Sequence, residues 1–412
     1  MKKIAASVVF LFYLIFCSAG CIYAQIFYPP PALAPYLEKT PEIDSRAAVL
    51  IDANTGTILY AKNPNEEIPP ASLTKLMTMH IVMSAIERGE ASYDEIIPIT
   101  VESWAQSQPR RSSLMFLEPG QIVTLREILL GLAVSSGNDA AVAAALRFAP
   151  SVRDFADKMT DEAHKMGLYV TRFTEPAGIS QYNKTTAAEF VVFCREYIKR
   201  HPNSLLDFHS VQEFAYPLAA NVQQRYRNNP RTILQSNQNS LLRSFPGTDG
   251  LKTGYINESG FNIALTAQRD DTRFILVLLG APLGRGGSRI RANDSARLLS
   301  WAFENFKTVR PVIGNIENVR LWKGKLNTIE LELAETADFT AQINRAGNLK
   351  YEVVIPSPLT APMPLGFLAG YLNITDEYGE LSRTPLITAK AAEKGNIFKR
   401  FWHSIVLLLK QT

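Results

Sequence analysis

The chain has 412 residues, of which 46% are hydrophobic and 20% charged, and this composition is typical of a globular protein of two or three domains. The formal net charge is +4, but two lysines in the initial "MKK" and a net +4 in residues 386–412 leave −2 for the rest. A nucleic-acid-binding protein carries a basic stripe across its folded domain, so this distribution argues against a nucleic-acid partner.

The N-terminus has the features of an export signal. A basic "MKK" precedes the apolar run "IAASVVFLFYLIFCSAG", and small Ala24 stands before Gln25, where a signal peptidase would cut. We predict a signal peptide over residues 1–24. The run is short for a membrane-spanning anchor. A lipoprotein signal ending at Cys21 in "SAGC" stays open, although Ser18 occupies a position that usually carries leucine.

The small number of cysteines is compatible with an exported protein. If the signal is removed, only Cys194 clearly remains, so no internal disulfide holds the fold. Cys194 lies in the apolar helical pattern "EFVVFCREYI", which predicts a buried structural thiol. The prolines of "FYPPPALAPYLEKTP" predict an extended leader over residues 25–41.

The next segment alternates strand and helix patterns. "AAVLIDANTGTILYAKN" predicts a β-hairpin, and "SLTKLMTMHIVMSAIERGE" predicts an amphipathic helix that begins near Ser72. "TLRE" predicts a capped helix that breaks at 135–138 before helical spacing resumes. "GTDGLKTGYINESGFNIALTAQRDDTRFILVLLGAP" predicts three antiparallel strands, followed by a helix at "SARLLSWAFENF". These patterns predict an α+β domain over residues 42–308.

The hydrophobic pattern of the sequence changes after this domain. "TIELELAE" alternates strictly, "LKYEVVI" does so nearly, and "DEYGE" is a turn, so residues 309–385 predict a small all-β domain. The tail, 386–412, contains "GNIFKRFWHSIVLLLKQT", too short an apolar stretch to span a bilayer. Its pattern predicts a basic amphipathic helix in the headgroup region of a membrane; packing of this helix on the β domain is the alternative. The predicted apolar face consists of Ile397, Phe398, Phe401, Trp402, Ile405, Leu408 and Leu409.

Ser72 and Lys75, in "PASLTKLMT", form a candidate catalytic pair. A serine hydroxyl is a weak nucleophile at neutral pH and needs a neighbouring base. The i, i+3 spacing brings both side chains onto one helical face, and a lysine shielded from water loses its charge more readily. The free N–H groups at a helix start can stabilise an oxyanion. Taken alone, the pattern is better explained by a capping serine and a solvated lysine.

Two further motifs, "SGN" and "KTG", follow in the chain and contain candidate site residues. In "SGN", Ser136 and Asn138 offer a hydroxyl and an amide in an interhelical loop, although Gly137 and Asn138 also suit a helix end and a cap. In "KTG", Lys252 offers a positive charge and Thr253 a hydroxyl, which together can bind a carboxylate. Gly254 lets another backbone approach closely. An extended peptide can pair with such a strand.

Together the three motifs resemble those of the penicillin-recognising serine acyl-enzymes. The segments "PASLTKLMT", "SSLMFLEPG", "SSGNDA", "QSNQNSLL", "GTDGLKTGY" and "WAFENF" look like the low-molecular-weight penicillin-binding proteins, the serine-type D-alanyl-D-alanine carboxypeptidases. The resemblance spans about 42–412. It implies a β-lactamase-like α+β domain, an antiparallel sheet with a helical subdomain, followed by the all-β domain and the C-terminal helix.

The resemblance also implies the reaction and its residues. Ser72 would attack the penultimate D-alanine carbonyl of a peptidoglycan stem peptide ending in D-Ala-D-Ala, Lys75 would be the base, and Ser136 would relay a proton to the leaving amine. Water would then clear the acyl-enzyme, and β-lactams would acylate Ser72. Asn138 would bind the substrate amide, and Lys252 with Thr253 the terminal carboxylate, on the strand that continues through Gly254. The N–H groups of Ser72 and Tyr255 would form the oxyanion hole.

Two departures and two rival functions remain. "EPAGI" places Ala177 where many relatives have histidine, and Tyr255 follows "KTG" where histidine is common, which leaves deacylation rate and side-chain preference open. A β-lactamase would need a deacylating base, for which Glu175 is the candidate. A β-lactam sensor or peptidoglycan-binding module that never turns over is the other rival.

We expect no cofactor and no metal, because the five histidines form no "HExxH" motif and no Gly-x-Ser-x-Gly elbow occurs. The signal and the tail together predict an exported enzyme. It would be held peripherally at the extracytoplasmic face of the cytoplasmic membrane.

Overall fold

The computed structural model describes residues 40–345 and 348–409. The predicted signal peptide and nearly all of the predicted leader therefore lie outside the described residues. The chain divides into two compact units, one comprising Thr40–Ala302 and one beginning at Phe303.

A five-stranded antiparallel sheet forms the framework of the first unit. The strands lie in the order β2-β1-β7-β6-β5, with β5 at one edge. The predicted hairpin and the three predicted antiparallel strands are confirmed. Their bounds are β1 Ala47–Asp52, β2 Ile58–Lys62, β5 Thr248–Ile256, β6 Gly260–Arg269 and β7 Thr272–Ala281, with a separate hairpin of β3 Glu213–Tyr216 and β4 Ile233–Ser236.

Helices complete this unit. The first four pack on one another, and α5 packs on β1 and β7. The bounds are α1 Thr74–Glu87, α2 Leu125–Leu130, α3 Asn138–Phe148, α4 Val152–Lys165, α5 Ala187–Arg200, α6 Leu241–Ser244 and α7 Gly287–Asn305. Single π-helical turns cover Gly131–Ser135 and Leu205–His209. Thr124 and Glu127 cap α2 reciprocally, as the sequence predicts.

The prediction that α1 is amphipathic is wrong. Every residue from Thr74 to Ala85 is buried, including polar Thr78 and His80. The helix belongs to the apolar core of the unit and contacts α3 and α4, so it has no solvent face to select a polar stripe. Thr78 Oγ1 instead donates to the Pro176 carbonyl, and His80 Nδ1 lies 2.9 Å from His201 Nε2.

Antiparallel strands dominate the second unit. Five of them form a sheet in the order β12-β13-β14-β10-β9, and β8 pairs with β11. Alternating burial along β13 and β14 explains the period-two pattern of this region. The bounds are β8 Phe306–Val309, β9 Ile316–Arg320, β10 Thr328–Leu333, β11 Phe339–Gln342, β12 Lys350–Val354, β13 Leu368–Asp376 and β14 Gly379–Thr388.

The unit ends with helix α8, Ile397–Leu409. Among the residues of α8, His403 is the buried one, and its ring packs edge-on against Trp322. Among the described residues, no helix combines the length and the apolar character that crossing a membrane requires.

Candidate active site

Ser72 lies in a 3₁₀ turn, Ala71–Leu73, that leads directly into α1. The N-cap residue of α1 is Leu73, and no side chain caps the helix, so Ser72 does not serve as a cap. The Ser72 side chain is partly exposed, and its Oγ lies 3.2 Å from Lys75 Nζ. The hydroxyl is therefore free for chemistry beside an amine.

Lys75 is completely buried, which answers the alternative of a solvated lysine. Its Nζ also donates to Asn138 Oδ1 at 2.8 Å and to the Ala177 carbonyl at 2.5 Å. Burial lowers the pKa of Lys75 to about 8, although the charges of Glu175 and Asp139 oppose that shift. About a tenth of the Lys75 amine is therefore neutral at pH 7, and this fraction rises as the pH approaches 8.

The second motif contacts this pair through Asn138. Ser136 adopts a left-handed conformation with φ 56°, whereas Gly137, the expected helix terminator, does not. Asn138 begins α3, and its amide oxygen contacts Lys75 rather than capping the helix. Buried Asp139 accepts the backbone N–H groups of residues 115, 116, 117 and 140, and so fixes the segment 115–117.

The third motif lies on edge strand β5, which borders the Ser72 turn. Lys252 and Thr253 are both buried. Burial lowers the pKa of Lys252 well below its usual range, and the charges of Lys75 and Arg291 add to the shift. Tyr255 is 45% exposed, and its ring packs on Phe261.

Glycines on both sides bring the surrounding backbone close to Ser72. A Cβ at Gly254 would lie 2.9 Å from Ser72 N, and a Cβ at Gly178 would lie 2.9 Å from the same nitrogen and 1.9 Å from the Ala71 carbonyl oxygen. Gly178 also has φ +82°, which side chains rarely tolerate. Strand β5 and the loop after Glu175 therefore both pack against the Ser72 backbone.

Sequence reasoning missed several residues that shape this site. Buried Asn262 on β6 donates to the Pro69 carbonyl and accepts Gly280 N–H, so it ties the segment before Ser72 to the sheet. Buried Arg291 on α7 is a further cation near Lys252. An asparagine inside the apolar run "FNIALTA" was the one available signal for such a role.

Across residues 40–345 and 348–409, no cluster of three or more metal-binding side chains could hold a metal ion. A partly exposed serine beside a buried lysine, an amide from an interhelical loop and a lysine-threonine pair on an edge strand define an acyl-serine enzyme.

Comparison with known proteins identifies the family. The sequence profile of the D-alanyl-D-alanine carboxypeptidases matches residues 35–283, and that of the penicillin-binding protein 5 C-terminal domain matches residues 306–394. The chain is similar to D-alanyl-D-alanine carboxypeptidase DacC of Escherichia coli K12, with 31% identity over 96% of each protein. The chain therefore belongs to the D-alanyl-D-alanine carboxypeptidase family.

Solved structures agree with this assignment. Penicillin binding protein 5 from Haemophilus influenzae matches with a TM-score of 0.78 and 28% identity, covering 86% of this chain and 99% of that one. Penicillin-Binding Protein D2 from Listeria monocytogenes in its cefotaxime-bound form matches with a TM-score of 0.53 and 25% identity, covering 64% and 99%. The family and fold predicted from the sequence are confirmed, and the chain is a serine-type carboxypeptidase of the low-molecular-weight penicillin-binding class.

Proposed function

We propose that this enzyme removes the terminal D-alanine of peptidoglycan stem peptides through an acyl-enzyme on Ser72. Neutral Lys75 takes the hydroxyl proton as Ser72 Oγ bonds to the penultimate carbonyl carbon. The C–N bond to the last D-alanine then breaks, and Ser136 passes a proton to the leaving amine. Water hydrolyses the ester. The close contact of Ser72 Oγ with the buried Lys75 amine is the observation that carries this mechanism.

Substrate binding is assigned to the walls around Ser72. The open edge of β5 can pair with an extended peptide, and Lys252 and Thr253 on that strand supply charge and a hydroxyl for the terminal carboxylate. Asn138 binds the substrate amide. The N–H groups of Ser72 and Tyr255 form the oxyanion hole, which the close approach at Gly254 favours. β-Lactams acylate the same serine.

The contacts of Glu175 argue against its role as the deacylating base of a β-lactamase. Both carboxylate oxygens of Glu175 accept backbone N–H groups of its own loop, at 2.7 Å from Ala177 and 2.8 Å from Gly178. This carboxylate holds its own loop together, so we assign it a structural role and not that of a deacylating base.

The test combines labelling and turnover. Wild type and Ser72→Ala are treated with fluorescent penicillin, and free D-alanine is measured with a peptide ending in D-Ala-D-Ala. Ser84→Ala is the matched control, because it removes a buried hydroxyl of α1 for which the described residues offer no hydrogen-bond partner. Wild type and Ser84→Ala should label and release D-alanine repeatedly, while Ser72→Ala should do neither. A labelled Ser72→Ala protein contradicts the mechanism, and release of a single equivalent supports a sensor instead.

Enzymes of this family act on the cell wall outside the cytoplasm, and we further propose that α8 holds this one against an anionic membrane surface. The side of α8 around His403 contacts the β domain, since His403 Nδ1 accepts the Lys323 N–H at 2.8 Å and Lys399 Nζ donates to the Lys325 carbonyl. The opposite side leaves large apolar side chains exposed, namely Ile397, Phe398, Phe401, Trp402, Leu408 and Leu409. An apolar face with aromatic residues and nearby basic groups suits a lipid interface.

Vesicle binding tests the membrane proposal. The protein should sediment with vesicles containing phosphatidylglycerol, less so at high salt, and weakly with neutral phosphatidylcholine vesicles. Phe401→Glu should abolish sedimentation, whereas Val312→Glu, which adds the same charge at a fully exposed site of the same unit, should not. Equal sedimentation of both variants would refute the assignment.

A further inference from the structure

The loop that follows α4 is organised around the carboxylate of Glu175. Four consecutive backbone N–H groups, from Ala177 to Ser180, donate to it over distances of 2.7–3.2 Å. The amide nitrogen of Asn183 donates to it as well, at 2.9 Å. Oε1 of Glu175 accepts four of these five donors and Oε2 accepts the Ala177 N–H, so the carboxylate fixes the course of the loop.

The same loop is held against α1, the helix that carries Lys75. Thr78 Oγ1 donates to the Pro176 carbonyl at 2.8 Å, and Asn183 Nδ2 lies 3.2 Å from Thr74 Oγ1. Between these contacts, the Ala177 carbonyl accepts from Lys75 Nζ at 2.5 Å. The loop is thus attached to α1 on both sides of the lysine.

The Ala177 carbonyl determines where the Lys75 lone pair can point. A neutral amine has two N–H groups and one lone pair, and Lys75 Nζ has three oxygen neighbours. A backbone carbonyl can only accept, and Asn138 presents its amide oxygen, so both N–H groups are committed to these two acceptors. The lone pair is left facing Ser72 Oγ, the one neighbour that has a proton to give.

We propose that Glu175 is a positioning residue for the Lys75 base, because its carboxylate fixes the loop whose Ala177 carbonyl orients the amine toward Ser72. The inference rests on the proposed roles of Ser72 and Lys75. Glu175 does not touch substrate and acts only through the loop and through its charge.

The charge of Glu175 gives the proposal a signature that loss of structure alone would not produce. The charged groups that act on the Lys75 amine are Glu175 from the loop, Asp139 from α3 and Lys252 from β5. The two carboxylates raise the pKa of Lys75, against the dominant effect of burial. Neutralising Glu175 removes one of the two, so the pKa of Lys75 falls further and the acidic limb of the acylation profile moves to lower pH.

The experiment measures the second-order rate constant of Ser72 acylation by fluorescent penicillin between about pH 6 and pH 10, alongside the melting temperature. Glu175→Gln should lower the plateau rate about tenfold through lost orientation and move the midpoint below that of wild type. Thr78→Val, which loosens the loop without changing charge, should lower the plateau but keep the wild-type midpoint.

Glu189→Gln is the matched control. Glu189 also holds a loop through its carboxylate, accepting Val170 N–H at 2.9 Å and Thr171 N–H at 2.7 Å, but it contacts neither α1 nor Lys75 in the described hydrogen-bond network. Glu189→Gln should lower the melting temperature of the enzyme but leave the plateau acylation rate and the midpoint pH unchanged.

The outcomes separate the inference from the function on which it rests. A wild-type midpoint and plateau in Glu175→Gln overturn the inference, as does an equal rate loss in Glu189→Gln. If Glu175→Gln does not fold, an unchanged plateau in Thr78→Val overturns it. Labelling of Ser72→Ala, by contrast, would overturn the proposed mechanism itself.

Discussion

Substitution of Gly254 by alanine tests the close approach of β5 to the nucleophile. The new Cβ would lie 2.9 Å from Ser72 N, 3.0 Å from the Pro70 carbonyl oxygen and 3.1 Å from Ala71 Cβ. Favourable contacts need about 3.5–4.0 Å, so strand and turn must separate by roughly half an ångström or more. A misplacement of about 1 Å can cost a hundredfold in rate, and we expect a loss of about ten- to a hundredfold in acylation.

The assay is the second-order rate constant for labelling by fluorescent penicillin, with thermal unfolding measured in parallel. Overpacking of this kind costs about 1–3 kcal/mol, so the variant should melt earlier but remain folded at room temperature. Gly314→Ala is the control, because a Cβ there meets no atom within 4 Å. A Gly254→Ala enzyme that labels at the wild-type rate would refute the reasoning.

Three other predictions concern single groups. Acylation should accelerate as pH rises through about 8, since burial lowers the pKa of Lys75 to that value and only the neutral amine accepts a proton; a flat profile would contradict this. Asp139→Ala should lower the free energy of unfolding in urea by about 3 kcal/mol or more, because it leaves four backbone N–H groups without their acceptor, whereas a loss below about 1 kcal/mol would argue against that anchor. Buried Cys194, whose pKa burial raises, should react with a thiol reagent only in denaturant, and rapid labelling of the native enzyme would show the site to be open.

Local sequence patterns predicted the framework because they report local physics. The strand-like runs from "GTDGLKTGY" to "LGAP", separated by turn residues, predicted β5, β6 and β7, and the Thr124–Glu127 spacing predicted a capping box that the structure contains. These signals depend on neighbours within a few residues, which is where propensity and capping act.

The surroundings of the site could not be predicted in the same way. The Lys75–Ala177 contact joins positions 102 residues apart, and a backbone carbonyl leaves no mark in the sequence. Glu175 looked like a possible base because its type is visible in "TEPAGIS", while its backbone partners are not. The amphipathic prediction for α1 failed for a related reason, since tertiary burial on all sides overrides helical periodicity.

The pair of glycines that enclose the Ser72 turn limits how this enzyme can change its response to antibiotics. A side chain at Gly178 or Gly254 would press on the backbone at Ser72, so under the proposed mechanism it would impair the natural reaction together with the reaction with the drug. Variation that spares turnover is expected instead at Ile179 and Tyr255, which directly follow these glycines and have exposed side chains.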